Sequence, residues 1–272
     1  MSYEDTMKTQ IPLYCASVAA SICTTSAFAK EAELQDMSDP LAVYTQGGVG
    51  ITDKGFNIKI GQSYDTGSAS TMAMNVIEIK GIAGETLGVR DDDEAKYQSV
   101  DDSIDSFRLR NFKVDLNDGR GSQLDISYNK DKDTFTGSYS LIQALPRMGP
   151  LNFYPLAGVG LDVMNSESSA YQGPDAGSGY TFPGTFAVVG VYSKLKVTDK
   201  IWLNYNPMYM VTLSGATWYK DGIYAGDRDI LAHEFAASYQ ISPRSNIRYF
   251  ANWSDKVNFG SGDHRIEYNY QF

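Results

Sequence analysis

The chain is poor in the side chains that most chemistry uses. Of its 272 residues only two are cysteine and two are histidine. Both cysteines, Cys15 and Cys23, lie in the first thirty residues. A chain processed after that stretch would have no disulfide, thiolate metal site or cysteine nucleophile. Positive charge is also scarce: 23 Lys and Arg stand against 33 Asp and Glu, for a net charge of −10. That balance argues against a nucleic-acid partner, which would require a clustered basic surface. No later stretch has the ~18–20 unbroken apolar residues of a transmembrane helix. With 21% charged residues, 25 Gly and 19 Tyr, the composition excludes coiled coils, collagens and low-complexity disorder.

The first thirty residues form an address. Lys8 precedes a weakly apolar run, Ile11 to Cys23, which ends in Ala27-Phe28-Ala29. A basic residue, a short apolar run and a small-x-small site make a secretory signal peptide over 1–29, cut before Lys30. Met7 is the better start, because Glu4 and Asp5 would place acid in the normally basic leading region. The expected organisation is a signal peptide over 1–29, a periplasmic segment over 30–40 and one β-domain over 41–272.

Beyond this leader, segment after segment alternates with period two, the mark of strands with unlike faces. Ile266, Tyr268, Tyr270 and Phe272 alternate with Arg265, Glu267, Asn269 and Gln271. Ile247, Tyr249, Ala251 and Trp253 alternate with Arg248, Phe250 and Asn252, and Phe56, Ile58 and Ile60 with Asn57 and Lys59. Similar runs occur near 124–128, 135–141, 151–161, 201–212 and 231–241, with less regular ones near 70–82, 103–116 and 184–197. Near Arg110-Asn111 the apolar phase slips from Phe107 and Leu109 to Phe112 and Val114, which reads as a β-bulge.

About twelve strands of roughly ten residues suit an antiparallel up-and-down barrel crossing a bilayer at a steep tilt. The connections sort by end. If Phe272 lies at the periplasmic face, so do the short turns at 66–68, 117–119, 146–148, 198–199 and 242–244. The loops at 84–102, 164–180, 214–227 and 255–262 fall at the other end. Short periplasmic turns and long external loops are the asymmetry of outer-membrane barrels. A mean hydropathy of −0.32 is compatible, since only alternate residues would face lipid. Tyr64, Tyr128, Tyr239, Trp253, Tyr268 and Tyr270 would form interfacial girdles.

The ending Ile266-Glu-Tyr-Asn-Tyr-Gln-Phe272 resembles the C-terminal strand of Gram-negative outer-membrane β-barrel proteins. The resemblance implies that Tyr268, Tyr270 and Phe272 are the signal read by the barrel-insertion machinery. Twelve strands resemble both small substrate-specific porins and outer-membrane phospholipases. The class implies an outer-membrane location, with lipid and lipopolysaccharide as surroundings.

Little in the chain suggests catalysis. His233 falls on the apolar phase of its strand, and Ser238, five residues on, faces the other side. A Ser-His pair within that strand is excluded, and one across strands stays open. Asp263-His264 is a fragment of a rim acid–His arrangement or an ordinary polar rim. Asp91-Asp92-Asp93-Glu94, with Asp101 and Asp102, lacks the ligand spacing and central Gly of a calcium loop. It reads as a solvated loop, with loose divalent-ion binding as the alternative. Gly158 and Gly160 continue a strand on its inward phase and carry no nucleotide fingerprint. No cofactor is implied.

The inward phase holds Lys59, Asp125, Asp162, Lys194, Lys196, Glu234, Arg248, Arg265 and Glu267, a mixed set. Such charges either constrict a small aqueous pore for passive diffusion of small hydrophilic solutes, or pair to fill the lumen. A closed barrel acting through its loops would use Trp218, Tyr219 and Tyr224 as contacts.

Overall fold

The structure, a computed structural model, describes residues 34–84, 86–87, 106–130, 132–168, 171, 173 and 179–272. The leader, 1–29, and the acidic run at 91–94 with Asp101 and Asp102 lie outside the described residues.

Twelve strands follow one another: β1 (Gln46–Thr52), β2 (Gly55–Asp65), β3 (Thr71–Ile82), β4 (Ser106–Asp115), β5 (Arg120–Asn129) and β6 (Thr134–Gln143). They continue as β7 (Leu151–Asn165), β8 (Tyr180–Lys196), β9 (Ile201–Gly215), β10 (Asp229–Ser242), β11 (Ser245–Ser254) and β12 (Asp263–Gln271). A six-residue helix, α1 (Thr217–Gly222), lies in the β9–β10 connection. Each strand pairs antiparallel with its sequence neighbour, and β12 pairs with β1 from Gln46↔Gln271 to Thr52↔Arg265, closing the barrel. Closure leaves no sheet edge unpaired. The expected all-β, twelve-strand antiparallel barrel is the fold found, and the short turns gather at the end where β12 finishes.

Exposure along the strands is inverted relative to a water-soluble sandwich. On β2 Ile60 is 49% exposed and Lys59 only 8%, and on β12 Tyr268 is 42% exposed and Glu267 only 2%. The alternation therefore puts apolar residues outside and ionised ones inside.

The expected bulge at Arg110-Asn111 is absent: β4 pairs with β3 from Thr71↔Asp115 to Lys80↔Ser106 and with β5 from Ser106↔Asn129 to Val114↔Gly121 without a shift. The apolar residues change side because the lumen has an apolar collar. Phe112 and Val114 cluster inside with Met74, Val76 and Val43, while Asn111 and Lys113 take the outer row. Bulges occur elsewhere, including Asp162/Met164 between β7 and β8 and Thr185/Phe186 between β8 and β9.

Glycines on β1 and β7 set the lumen's shape. A Cβ on Gly48 would meet Asn269 Oδ1 at 2.6 Å and Lys59 Cε at 3.1 Å. With no side chain there, Lys59 of β2 reaches across β1 to Glu267 of β12, with Nζ–Oε1 2.5 Å. A Cβ on Gly160 would meet the Phe186 ring at 2.3 Å, so Gly158 and Gly160 clear space on the inward phase of β7.

Candidate functional site

The lumen holds a set of ionised groups, and strand pairing determines which of them meet. Glu78 of β3 lies opposite Arg108 of β4, and Arg110 lies opposite Asp125 of β5. The ion pairs run diagonally: Arg110 Nη2 binds Glu78 Oε1 at 2.5 Å, and Arg108 donates through Nε to Asp125 Oδ1 at 2.8 Å and through Nη2 to Oδ2. The Arg108–Asp125 pair is thus a two-point fork, the strong geometry for guanidinium and carboxylate. Glu267, 2% exposed, also accepts from Asn57 Nδ2 at 3.1 Å and lies 3.4 Å from Arg265 Nε.

Among the described residues, the lumenal Arg248 has no carboxylate in direct contact. Arg248 donates to Ser238 Oγ at 3.0 Å and to Asn204 Oδ1 at 2.9 Å. Arg248 and Arg265 both lie over the Phe250 ring, at 4.6 and 4.2 Å from its centroid. Glu234 accepts instead from Asn206 Nδ2 at 2.8 Å. Among the described residues, Lys80 has no carboxylate within ion-pair distance, although it lines the same space.

These groups surround a cavity of about 480 Å³ and a smaller one of about 220 Å³. The two share Glu78, Lys80, Arg108, Arg110, Tyr192 and Glu234, and so form one chamber. Its walls differ. Leu156, Phe186, Val188, Met208 and Met210 of β7 to β9 make one side apolar, within a lumenal cluster that includes Ile142 and Tyr154.

Both ends of the chamber are narrowed by the chain itself. At the short-turn end, residues 34–45 lie inside the barrel ahead of β1. Asp36 pairs with Lys194 at 2.8 Å, Gln35 and Gln271 exchange two hydrogen bonds, and Val43 is buried in the apolar collar. Leu41 touches both lumenal apolar clusters. At the long-loop end, α1 places Tyr219 fully inside, its hydroxyl donating to Asp162 Oδ2 at 2.6 Å. Asp162 also accepts from Thr136 Oγ1 at 2.6 Å.

Of the residues expected inside, Lys59, Asp162, Lys194, Arg265 and Glu267 are buried and Asp125, Glu234 and Arg248 half-buried within the lumen. Lys196 is not among them: it is exposed at the short-turn rim, paired with Asp199 at 2.7 Å. Sequence reasoning missed Glu78, Lys80, Arg108 and Arg110. Strict alternation from Ile77 and Ile79, and from Phe107 and Leu109, would have placed all four inward. Tyr219 corrects another expectation, since it turns into the barrel and offers no external contact. Trp218 packs edge-on against Tyr171 at 5.0 Å, and Tyr224, in the same connection, is half-buried.

His233 and Ser238 lie on opposite faces of β10. Ser238 binds Arg248 in the lumen, while His233 stacks on the outer face between Tyr205 and Trp253, at 5.9 and 5.0 Å. Its Nδ1 is 2.8 Å from the Tyr205 hydroxyl. A flat ring in an aromatic row explains a histidine on the apolar phase. His264 makes a parallel arrangement, with Nδ1 2.8 Å from the Tyr249 hydroxyl and Nε2 2.9 Å from the Phe259 carbonyl. Tyr268, Tyr270 and Phe272 are exposed on the outer surface at the end of the chain.

No protein-family model and no curated protein sequence matches the chain. Among solved structures it is similar to the COG4313 outer membrane channel from Pseudomonas putida F1, with TM-score 0.54 and 9% identity over 88% of this chain and 99% of that one. It is also similar to the NanC porin (TM-score 0.48, 9% identity, 85% of this chain and 99% of that one). A third is the KdgM porin in complex with disordered oligogalacturonate (TM-score 0.43, 10% identity, 85% and 99%). At these identities the likeness is one of fold.

Proposed function

We propose that this chain is a porin-like channel of the Gram-negative outer membrane, through which small hydrophilic solutes diffuse passively. The observation that carries this reading is the chamber: the middle of the lumen is an open space edged by ionised side chains, not a packed core. Burying such groups is costly unless they are paired or hydrated. Paired arginines and carboxylates keep the wall rigid, while the cations without a carboxylate partner bias which solutes lose part of their hydration there.

The outer row of Ile, Leu, Val and Tyr supports a lipid surrounding, since water would not favour so much exposed apolar surface. Export by a cleaved leader, insertion read from Tyr268, Tyr270 and Phe272, and contact with lipopolysaccharide belong to the same reading. The mechanism uses no cofactor. Solute enters past the segment at 34–45 or past α1, and the chamber between them sets size and charge preference.

A closed barrel is the second reading, favoured by the contacts Asp36–Lys194 and Tyr219–Asp162 at its two mouths. Single-channel recording of refolded 30–272 in planar bilayers decides between them. Discrete conductance steps are expected, with a reversal potential in asymmetric salt reporting the lining's sign preference. A folded, heat-modifiable barrel without steps overturns the channel.

A further inference from the structure

The chamber's two walls differ in chemistry, and a purely hydrophilic solute would use only one of them. In a ring of twelve strands β3 lies six places from β9, so the wall carrying Lys80 faces the one carrying Met208 and Met210. Lys80 has no carboxylate within ion-pair distance among the described residues. Arg265, whose side chain is only 6% exposed, has its Nη1 buried without a hydrogen-bond partner, and it lines the smaller cavity. A buried guanidinium nitrogen without an acceptor is a costly feature that a bound anion would relieve. Facing these cations, Phe186, Val188, Met208 and Met210 leave apolar surface on the chamber. Gly160 makes room for the Phe186 ring.

We propose that the chamber binds small organic acids that join a compact carboxylate head to an apolar body. The head lies between Lys80 and Arg265 and the body against Phe186, Val188, Met208 and Met210. This specifies the solute class of the channel proposed above, but it depends only on the chamber and not on conduction. Lys80 and the unpartnered Nη1 of Arg265 answer a carboxylate's charge and its several acceptor sites. The apolar wall then discriminates by the area it takes from water, so affinity rises with chain length. A polyhydroxylated acid would leave its hydroxyls unpaired on that wall and gain nothing from it.

The test is equilibrium dialysis of labelled hexanoate, acetate and gluconate against refolded 30–272 in detergent, with Lys80→Met and Phe186→Asn in the same micelles. Hexanoate is expected to bind at least about tenfold more tightly than acetate, with gluconate no tighter than acetate. Lys80→Met should weaken hexanoate about tenfold or more. Phe186→Asn should reduce hexanoate toward the acetate value while leaving acetate unchanged. Heat-modifiable mobility establishes that each variant has refolded, and if one fails the other decides. Equal binding of hexanoate and gluconate overturns the inference, as does hexanoate binding insensitive to whichever variant refolds. A barrel that conducts without preferring hexanoate overturns this inference and leaves the channel standing. A silent barrel that prefers hexanoate, with the expected variant losses, supports the site and removes the channel.

Discussion

The two mouths of the barrel are narrowed by different means. At the short-turn mouth, the segment at 34–45 is continuous with β1 at one end only, and it is held by distributed contacts: Val43 and Leu41 in apolar clusters, Asp36 on Lys194, Gln35 on Gln271. At the long-loop mouth, α1 is tied to strands at both ends, with Tyr219 on Asp162 as its buried anchor and Thr212 Oγ1 donating to the Lys220 carbonyl at 2.7 Å. The helix contributes little stability of its own, since six residues fall well short of what an isolated helix needs and Ala216 offers no side-chain cap. Contacts spread along a segment favour one that leaves as a whole or stays, whereas a few contacts on one short helix favour a cover that opens locally.

The largest effect expected from this contrast comes from removing residues 30–45. That deletion keeps all twelve strands, because β1 begins at Gln46. Single-channel conductance should rise severalfold if the segment is the narrower obstruction. Unchanged conductance in a refolded barrel would place the resistance at α1 and reverse the ranking of the two mouths.

Weakening the buried anchor of α1 should have a smaller effect, confined to its own mouth. Tyr219→Phe keeps the buried ring and loses the hydroxyl that donates to Asp162. A hydrogen bond to a charged group contributes about 1.5–3 kcal/mol. Chymotrypsin cleavage at Trp218 and Tyr224 should therefore speed up by about tenfold or more, since it follows the open population of α1. Because Thr136 Oγ1 still donates to Asp162 Oδ1, the strands around it should stay intact. Cleavage at the wild-type rate would mean that packing of Tyr219, and not its hydroxyl, holds the cover.

Neither mouth was legible in the sequence, although the barrel was. Period-two alternation and the sorting of turns by length give strand number, closure and orientation, because lipid and lumen impose opposite demands on successive residues. The N-terminal segment obeys no such period. Leu41 and Val43 become informative only beside Met74, Val76, Phe112 and Val114, whose inward position looks like a slipped register until something apolar is found inside. The missed charges Glu78, Lys80, Arg108 and Arg110 follow from the same error, since a supposed bulge in β4 left the inward row of β3 and β4 undefined. A loop aromatic such as Tyr219 gives no sign in the sequence of whether it faces outward or folds back into the barrel. Only the proximity of Asp162 to Thr136 and α1 reveals the carboxylate it meets.

The smallest effect expected lies at the rim of the long-loop mouth and depends on pH. Asp133, in the β5–β6 turn with φ of 40°, accepts from the Tyr180 hydroxyl at 2.7 Å, the Tyr128 hydroxyl at 3.0 Å and Asn165 Nδ2 at 2.6 Å. It thereby ties its own turn to the flanks of the β7–β8 connection. The Tyr180 hydrogen bond first, then those from Asn165 and Tyr128, hold its carboxyl below the usual aspartate range. A depressed carboxyl stabilises the fold above its unfolded value, about 3.9, and that contribution is lost as pH falls through the lower folded value. Between pH 7 and 5 the rim should therefore not change, and below about pH 4 pepsin should cut the 166–179 connection progressively faster. Asp133→Asn should flatten that pH dependence. Because the group is only partly buried at the rim, water competes for the same hydrogen bonds and the gain is small. The segment at 34–45 should resist over this range, since protonating Asp36 removes one contact and leaves Val43 and Leu41 in place. If acid released that segment before the rim loosened, the Asp36–Lys194 pair would be its principal anchor, and the contrast between the two mouths would fail.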